Sequence, residues 1–178
     1  MISIEIDDRA VLSALDELIR RAEDPTPALK EIGETLAETT KRRFDTSTGP
    51  DGQRWESNSQ ATILQYLGVY KGSYNKDGRV SSKGAARVMA KKPLIGETRS
   101  LMSTIAWQLS GKASVEIGSP MEYAAVQQFG AKRGQFGATK RGSPIPWGNI
   151  PARPFLGIDD QDRNGILETI ADYLAASG

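Results

Sequence analysis

Apolar and polar residues alternate at the start of the chain: Ile2, Ile4 and Ile6 share one face of a short predicted strand, because strand side chains point to opposite sides in turn. Asp7 or Asp8 can then cap a helix. In it Val11, Leu12, Leu15, Leu18, Ile19 and Ala22 recur at i, i+1, i+4, i+7, i+8 and i+11, a single apolar stripe. Asp24-Pro25-Thr26-Pro27 ends this helix and opens another, since proline is tolerated only in a helix's first turn. Leu29, Ile32, Leu36 and Thr40 carry the second helix towards Phe44. Further on, Gln60 to Leu67 has the pattern of a short helix. Ile105, Trp107 and Leu109 alternate, Ser110-Gly111-Lys112 reads as a turn, and Val115 and Ile117 alternate again, which predicts a β-hairpin. Pro120 opens a short helix with Tyr123, Ala124 and Phe129, closed by Gly130. Ile145 to Ile158 is rich in proline and reads as extended chain or an edge strand. The last helix carries the stripe Ile166, Leu167, Ile170, Tyr173 and Leu174.

Between these elements lie three segments with few apolar anchors. Residues 45–59 are turn-rich, with Trp55 as their large anchor. Residues 68–92 hold glycine, serine, asparagine and basic residues, and 131–143 are rich in glycine and basic residues. Ordering each residue costs about 1–2 kcal/mol of backbone entropy, so segments with so little to bury are expected to be mobile loops in a lone subunit. The expected fold is α+β in a single domain spanning 1–178: a small antiparallel sheet packed with N-terminal and C-terminal amphipathic helices, with long projecting loops.

Composition narrows the chemistry. The chain has 178 residues and no cysteine, which excludes disulfides, zinc–thiolate sites and iron–sulfur clusters. It also has no histidine, which removes the commonest general base and transition-metal ligand and makes any Ser-His-Asp site impossible. The N-terminal residues do not resemble a signal peptide, and no run of about 18 apolar residues occurs, so a soluble protein without membrane contact is expected. The net charge of +1 conceals a pattern. Through Asp45 there are 11 acidic and 7 basic side chains, whereas residues 68–92 hold 7 basic ones against Asp77 alone. Residues 130–154 hold 5 basic and no acidic side chains, and from Phe155 onward there are 5 acidic residues and only Arg163. Acidic ends and basic middle segments are compatible with solvated surfaces, with contacts between identical subunits, or with DNA phosphates.

No motif supplies a reaction. Asp160-x-Asp162-x-Asn164-Gly165 opens like a calcium loop, but Ala171 stands where that loop needs a bidentate glutamate. Acidic residues satisfying the N–H groups of a helix start are the better reading. Gly130, Gly134, Gly137 and Gly142 match no phosphate-binding fingerprint. No cofactor and no metal are therefore expected. Lys71, Lys76, Arg79, Lys83 and Arg87, interleaved with Tyr70 and Tyr74, could contact DNA or another subunit, the mixture of basic and aromatic residues being that of single-strand binders.

Four blocks in order resemble one family. They are Phe44 with Pro50-Asp51-Gly52-Gln53-Arg54-Trp55; Lys92-Pro93-Leu94-Ile95 with Thr98-Arg99-Ser100-Leu101-Met102-Ser103-Thr104-Ile105; Ile117-Gly118-Ser119 leading to Tyr123-Ala124-Ala125-Val126-Gln127-Gln128-Phe129-Gly130; and Ile150-Pro151-Ala152-Arg153-Pro154-Phe155-Leu156-Gly157. Together they resemble the virion morphogenesis, or tail completion, proteins of Mu-like and related contractile-tailed phages. Two positions depart from that pattern: Arg99 stands where the family usually has glycine, and Gln127 where histidine is common. The resemblance implies a structural role at the tail end or head–tail joint, with rings of subunits, no enzyme activity and no cofactor. It implies other tail or connector proteins as partners, homo-oligomerisation, and a path from host cytoplasm to virion.

The individual positions keep two readings each. Tyr123 and Phe129 are interface candidates or core residues, and Trp55 anchors its loop or meets a partner. Arg153, followed by Pro154 and Phe155, either reaches into a subunit contact or hydrogen-bonds carbonyls of its own subunit.

Overall fold

A computed structural model describes residues 9–176 of the chain. The strand expected at Ile2, Ile4 and Ile6, its capping Asp7 or Asp8, and the side chain of Val11 lie outside the described residues. The N-terminal pattern yields α1 (Arg9–Glu23) and α2 (Thr26–Thr46), broken at Asp24 and Pro25 as the prolines require. Pro25 is the N-cap of α2, and Ser47 closes it in the left-handed conformation.

α2 is the axis of the molecule. The hairpin of β1 (Ala106–Leu109) and β2 (Val115–Gly118) lies against it, in the register Ala106↔Gly118, Trp107↔Ile117, Gln108↔Glu116 and Leu109↔Val115. One small residue permits this approach: a Cβ on Gly33 would sit 2.6 Å from the Trp107 ring, so glycine lets the indole lie directly on the helix backbone. The helix α7 (Asp160–Ala175) also packs on α2, and α1 rests on α7. This is the expected α+β arrangement, with the sheet held by α2 and the terminal helices stacked beyond.

The core gathers residues far apart in sequence. Phe44 from α2, Trp55, Leu101 and Ile105 around the short helix α5 (Ser100–Ser103), Ala124 from α6 (Ala124–Phe129), and Phe155 form one buried cluster with Ala37. Phe44 meets Trp55 edge-on at 5.4 Å between ring centroids and Phe155 at the same distance, tilted by 50°.

Two expectations are corrected. Residues 68–92 are not one continuous loop, because they contain α4 (Ser82–Ala90), which packs on α3 (Gln60–Val69). Ser81 caps α4 by accepting from the Gly84 amide, and the absence of a side chain at Gly84 lets the helix press onto the Ser73 carbonyl. The apolar stripes of the terminal helices are also not fully buried. In α1, Leu12, Leu15, Leu18 and Ile19 are exposed, while Arg21 reaches α7 by donating to the Tyr173 carbonyl. The 131–143 segment has no helix or strand, but backbone bonds such as Phe136 N–H to Ile145 O (2.8 Å) and Thr139 N–H to Ser143 O (2.8 Å) fold it back on the following chain.

Candidate interaction site

Residues from all four sequence blocks meet around Phe155: Phe44 and Trp55, Leu101 and Ile105, and Ala124 share its buried cluster, and Trp55 and Gln128 bond to its segment. Phe155 is 0% exposed. Its amide and that of Leu156 both donate to Gln128 Oε1, at 2.9 and 3.0 Å, while Gln128 Nε2 donates to the Leu156 carbonyl at 3.0 Å. The Trp55 indole N–H donates to the Pro154 carbonyl at 2.8 Å. Arg43 enters from α2: it donates to the carbonyls of Phe155 (3.1 Å) and Gly157 (2.8 Å), pairs with Asp159 at 3.1 Å, and makes a short ion pair with the buried Asp162. Asp159 is the N-cap of α7, in a capping box with Asp162. The acidic run that opens like a calcium loop is thus a helix start, and the described residues contain no metal-ligating cluster. The Asp162 amide lowers the Asp159 pKa, helped by Arg43.

Arg153 is 7% exposed and donates to the carbonyls of Glu56 (2.8 Å) and Ser57 (3.0 Å), joining the 45–59 loop to this segment. Burial depresses its pKa. It lines a cavity of about 510 Å³ together with Lys91, Lys92, Tyr123 and Gln127. Lys91 and Lys92 are bonded to the backbone carbonyls of Ile95 and Asp45. The cavity therefore gathers three cations and Glu56 among polar and apolar walls.

Of the interface candidates, Trp55, Arg153 and Phe155 point into their own subunit and Pro154 is half-buried. Phe129, at 78% exposure, and Tyr123 stand outside, so neither belongs to the core. Two residues that sequence reading missed hold the centre. Arg43 sits in a Lys-Arg-Arg run that looks like a solvated helix end, and Gln128 is one of two adjacent glutamines. Only the return of Phe155 to both of them reveals their roles.

The basic candidates occupy an arm made of α3, α4 and the turn between them. Ser81 N–H donates to Ser73 O (2.9 Å) and Asn75 N–H to Arg79 O (2.8 Å). Arg87 is drawn inward, stacked 5.0 Å from the Tyr70 ring centroid and bonded to Ser73 Oγ at 2.9 Å. Lys71, Lys76, Arg79 and Lys83 are exposed. The Tyr70 hydroxyl donates to Glu97, and that carboxylate pushes the tyrosine pKa up to about 12.

The chain is 28% identical over 174 residues to "Mu-like prophage FluMu G protein 2" of Haemophilus influenzae, covering 97% of this chain and 96% of that protein. It is 26% identical over 178 residues to "Putative capsid assembly protein G" of Escherichia phage Mu, covering 98% and 95%. No solved structure matches the chain. A profile of the phage virion morphogenesis family matches residues 6–175, and the chain belongs to that family.

Proposed function

We propose that this protein is a non-enzymatic structural component that completes the phage tail or head–tail joint through protein–protein contacts, as a ring of identical subunits. One observation carries the reading: the polar side chains around Phe155, Arg43, Gln128 and Arg153, are all engaged with backbone or carboxylate groups of their own fold. Such a centre spends its polar groups on shaping a scaffold, which supports a structural role. The Mu relative's printed name, which refers to capsid assembly, points to the same kind of role. The chain acts as a single domain, meets other tail or connector proteins, and passes from the host cytoplasm into the particle. Among the described residues no helix is long and apolar enough to cross a membrane.

The test is twofold. A phage lacking the gene should accumulate filled heads and tails that do not join, and supplying the protein should restore joined particles. Light scattering coupled to size exclusion, over a concentration and salt series, should show a closed multimer. Normal particle yield without the gene would reject the reading.

A nucleic-acid-binding role for the 68–92 segment is the second reading, favoured by five exposed cations and the exposed Tyr74. It requires affinity for duplex or single strands that falls steeply with salt. No binding at low salt would remove it.

A further inference from the structure

Resting on the ring reading above, we propose that the contact between neighbouring copies is head-to-tail, with the basic arm of one copy seated on the outer face of α7 of the next. α4 turns Gly84, Arg87, Val88 and Lys91 inward towards α3. Its outer face presents Lys83, Ala86 and Met89, with Met89 89% exposed, and the turn that precedes α4 adds the exposed Lys76 and Arg79. α7 is built the opposite way. Its inner face is Asp162, Ile166 and Tyr173, while Asp160, Leu167, Glu168 and Asp172 face out, with Leu167 61% exposed.

None of the ion pairs among the described residues uses Asp160, Glu168 or Asp172. Each surface has an exposed apolar side chain among charges mostly of one sign, with Asp77 paired to Arg79 on the arm and the exposed Arg163 on α7 as the exceptions, the anatomy of a contact patch. The signs are opposite, and the two surfaces sit on different elements of the same chain. A contact between two different patches of identical subunits is heterologous, the kind that closes into rings when the rotation permits. A net charge of +1, with exposed acidic residues present on α7 of the chain itself, favours a second copy over DNA as the occupant of the arm.

The experiment uses two charge-reversed full-length chains. The first carries Lys76→Glu, Arg79→Glu and Lys83→Glu; the second carries Glu168→Lys and Asp172→Lys, leaving Asp160 in place because it lies in the first turn of α7. All positions are exposed, and circular dichroism checks that both chains fold. Sedimentation velocity should show each variant self-associating at least about tenfold more weakly than wild type, since like charges now face each other. An equimolar mixture should recover wild-type assembly, because every junction again joins opposite charges. Met89→Ser should weaken assembly by a margin that does not vanish at high salt.

If either reversed variant alone assembles like wild type, the ring stands and this contact is wrong. If both variants dissociate but the mixture does not recover, the two surfaces do not face each other. If the arm variant loses DNA binding while self-association is unchanged, DNA is the occupant and the inference falls. Absence of self-association in wild type together with absence of association in the mixture overturns the ring reading itself.

Discussion

The Phe155 knot and the α3–α4 arm solve opposite problems. The knot joins residues more than 100 positions apart: Arg43 to the Phe155 and Gly157 carbonyls, and Phe44 to Phe155. Its polar groups are satisfied inside the subunit. The arm closes on itself through short-range bonds such as Ser81 Oγ to the Gly72 carbonyl (2.6 Å), and leaves its lysines and Met89 outside. The four motif blocks report on the knot, whereas four of the arm's basic residues, Lys71, Lys76, Arg79 and Lys83, lie between blocks. Recognisable sequence therefore marks much of what builds the subunit, although Phe129 and Tyr123 of the third block stand exposed.

Substitutions can break or sharpen that contrast. The largest effect is expected from Arg43→Ala, which leaves the Asp162 carboxylate buried without its partner and should cost about 3–5 kcal/mol in chemical denaturation. A loss below about 1 kcal/mol would mean the knot is held by its aromatic rings alone. Gln128→Ala removes an acceptor shared by two amides and should cost about 2 kcal/mol, with Phe155 packing loosened in the tryptophan fluorescence of Trp55. Arg99 has φ 51°, inside the left-handed region, at the position where the family usually has glycine. Arg99→Gly should therefore stabilise by up to about 1 kcal/mol in thermal melts, and a loss would show that its side chain matters more than its backbone. In the arm, Lys83→Ser should change stability by less than about 0.5 kcal/mol while altering assembly, the clearest separation of the two regions.

Acid gives a milder probe of the same contrast. The Asp159 pKa is lowered in the folded state, chiefly by the Asp162 amide, so its contribution is present above its ordinary value of 3.8 and is lost as pH falls through the lower folded value. Melting temperature should start to fall below about pH 4. Arg43→Ala should flatten part of that decline.

Much of the architecture could be read from periodicity. The hairpin, the break at Pro25 and the cap-like acidic run before α7 all rest on local rules, and local rules suffice for them. The hidden half was non-local or sparse. Nothing near Arg43 in sequence distinguishes it from Arg42, which is exposed, because its partners come from Phe155 to Asp162. α4 was missed because its burial is confined largely to Gly84, which has no side chain to signal it. The stripe of α1 correctly marks a helix, yet amphipathicity alone does not say whether a stripe is covered within the subunit. Phe129 had a core-like spacing from Tyr123, but the six-residue helix is too short to turn it back on the fold.

The position of Phe155 also sets an order of events during synthesis. The aromatic cluster cannot close until this residue, near the end of the described chain, has left the ribosome. Until then Phe44 and Trp55 wait without their third ring. The arm, whose contacts lie within some thirty residues of chain, can be complete well before. A nascent subunit would thus display its basic arm while its own centre is still open. Chains halted before Phe155 should be more open to proteases than the full chain, whose last aromatic ring closes the cluster.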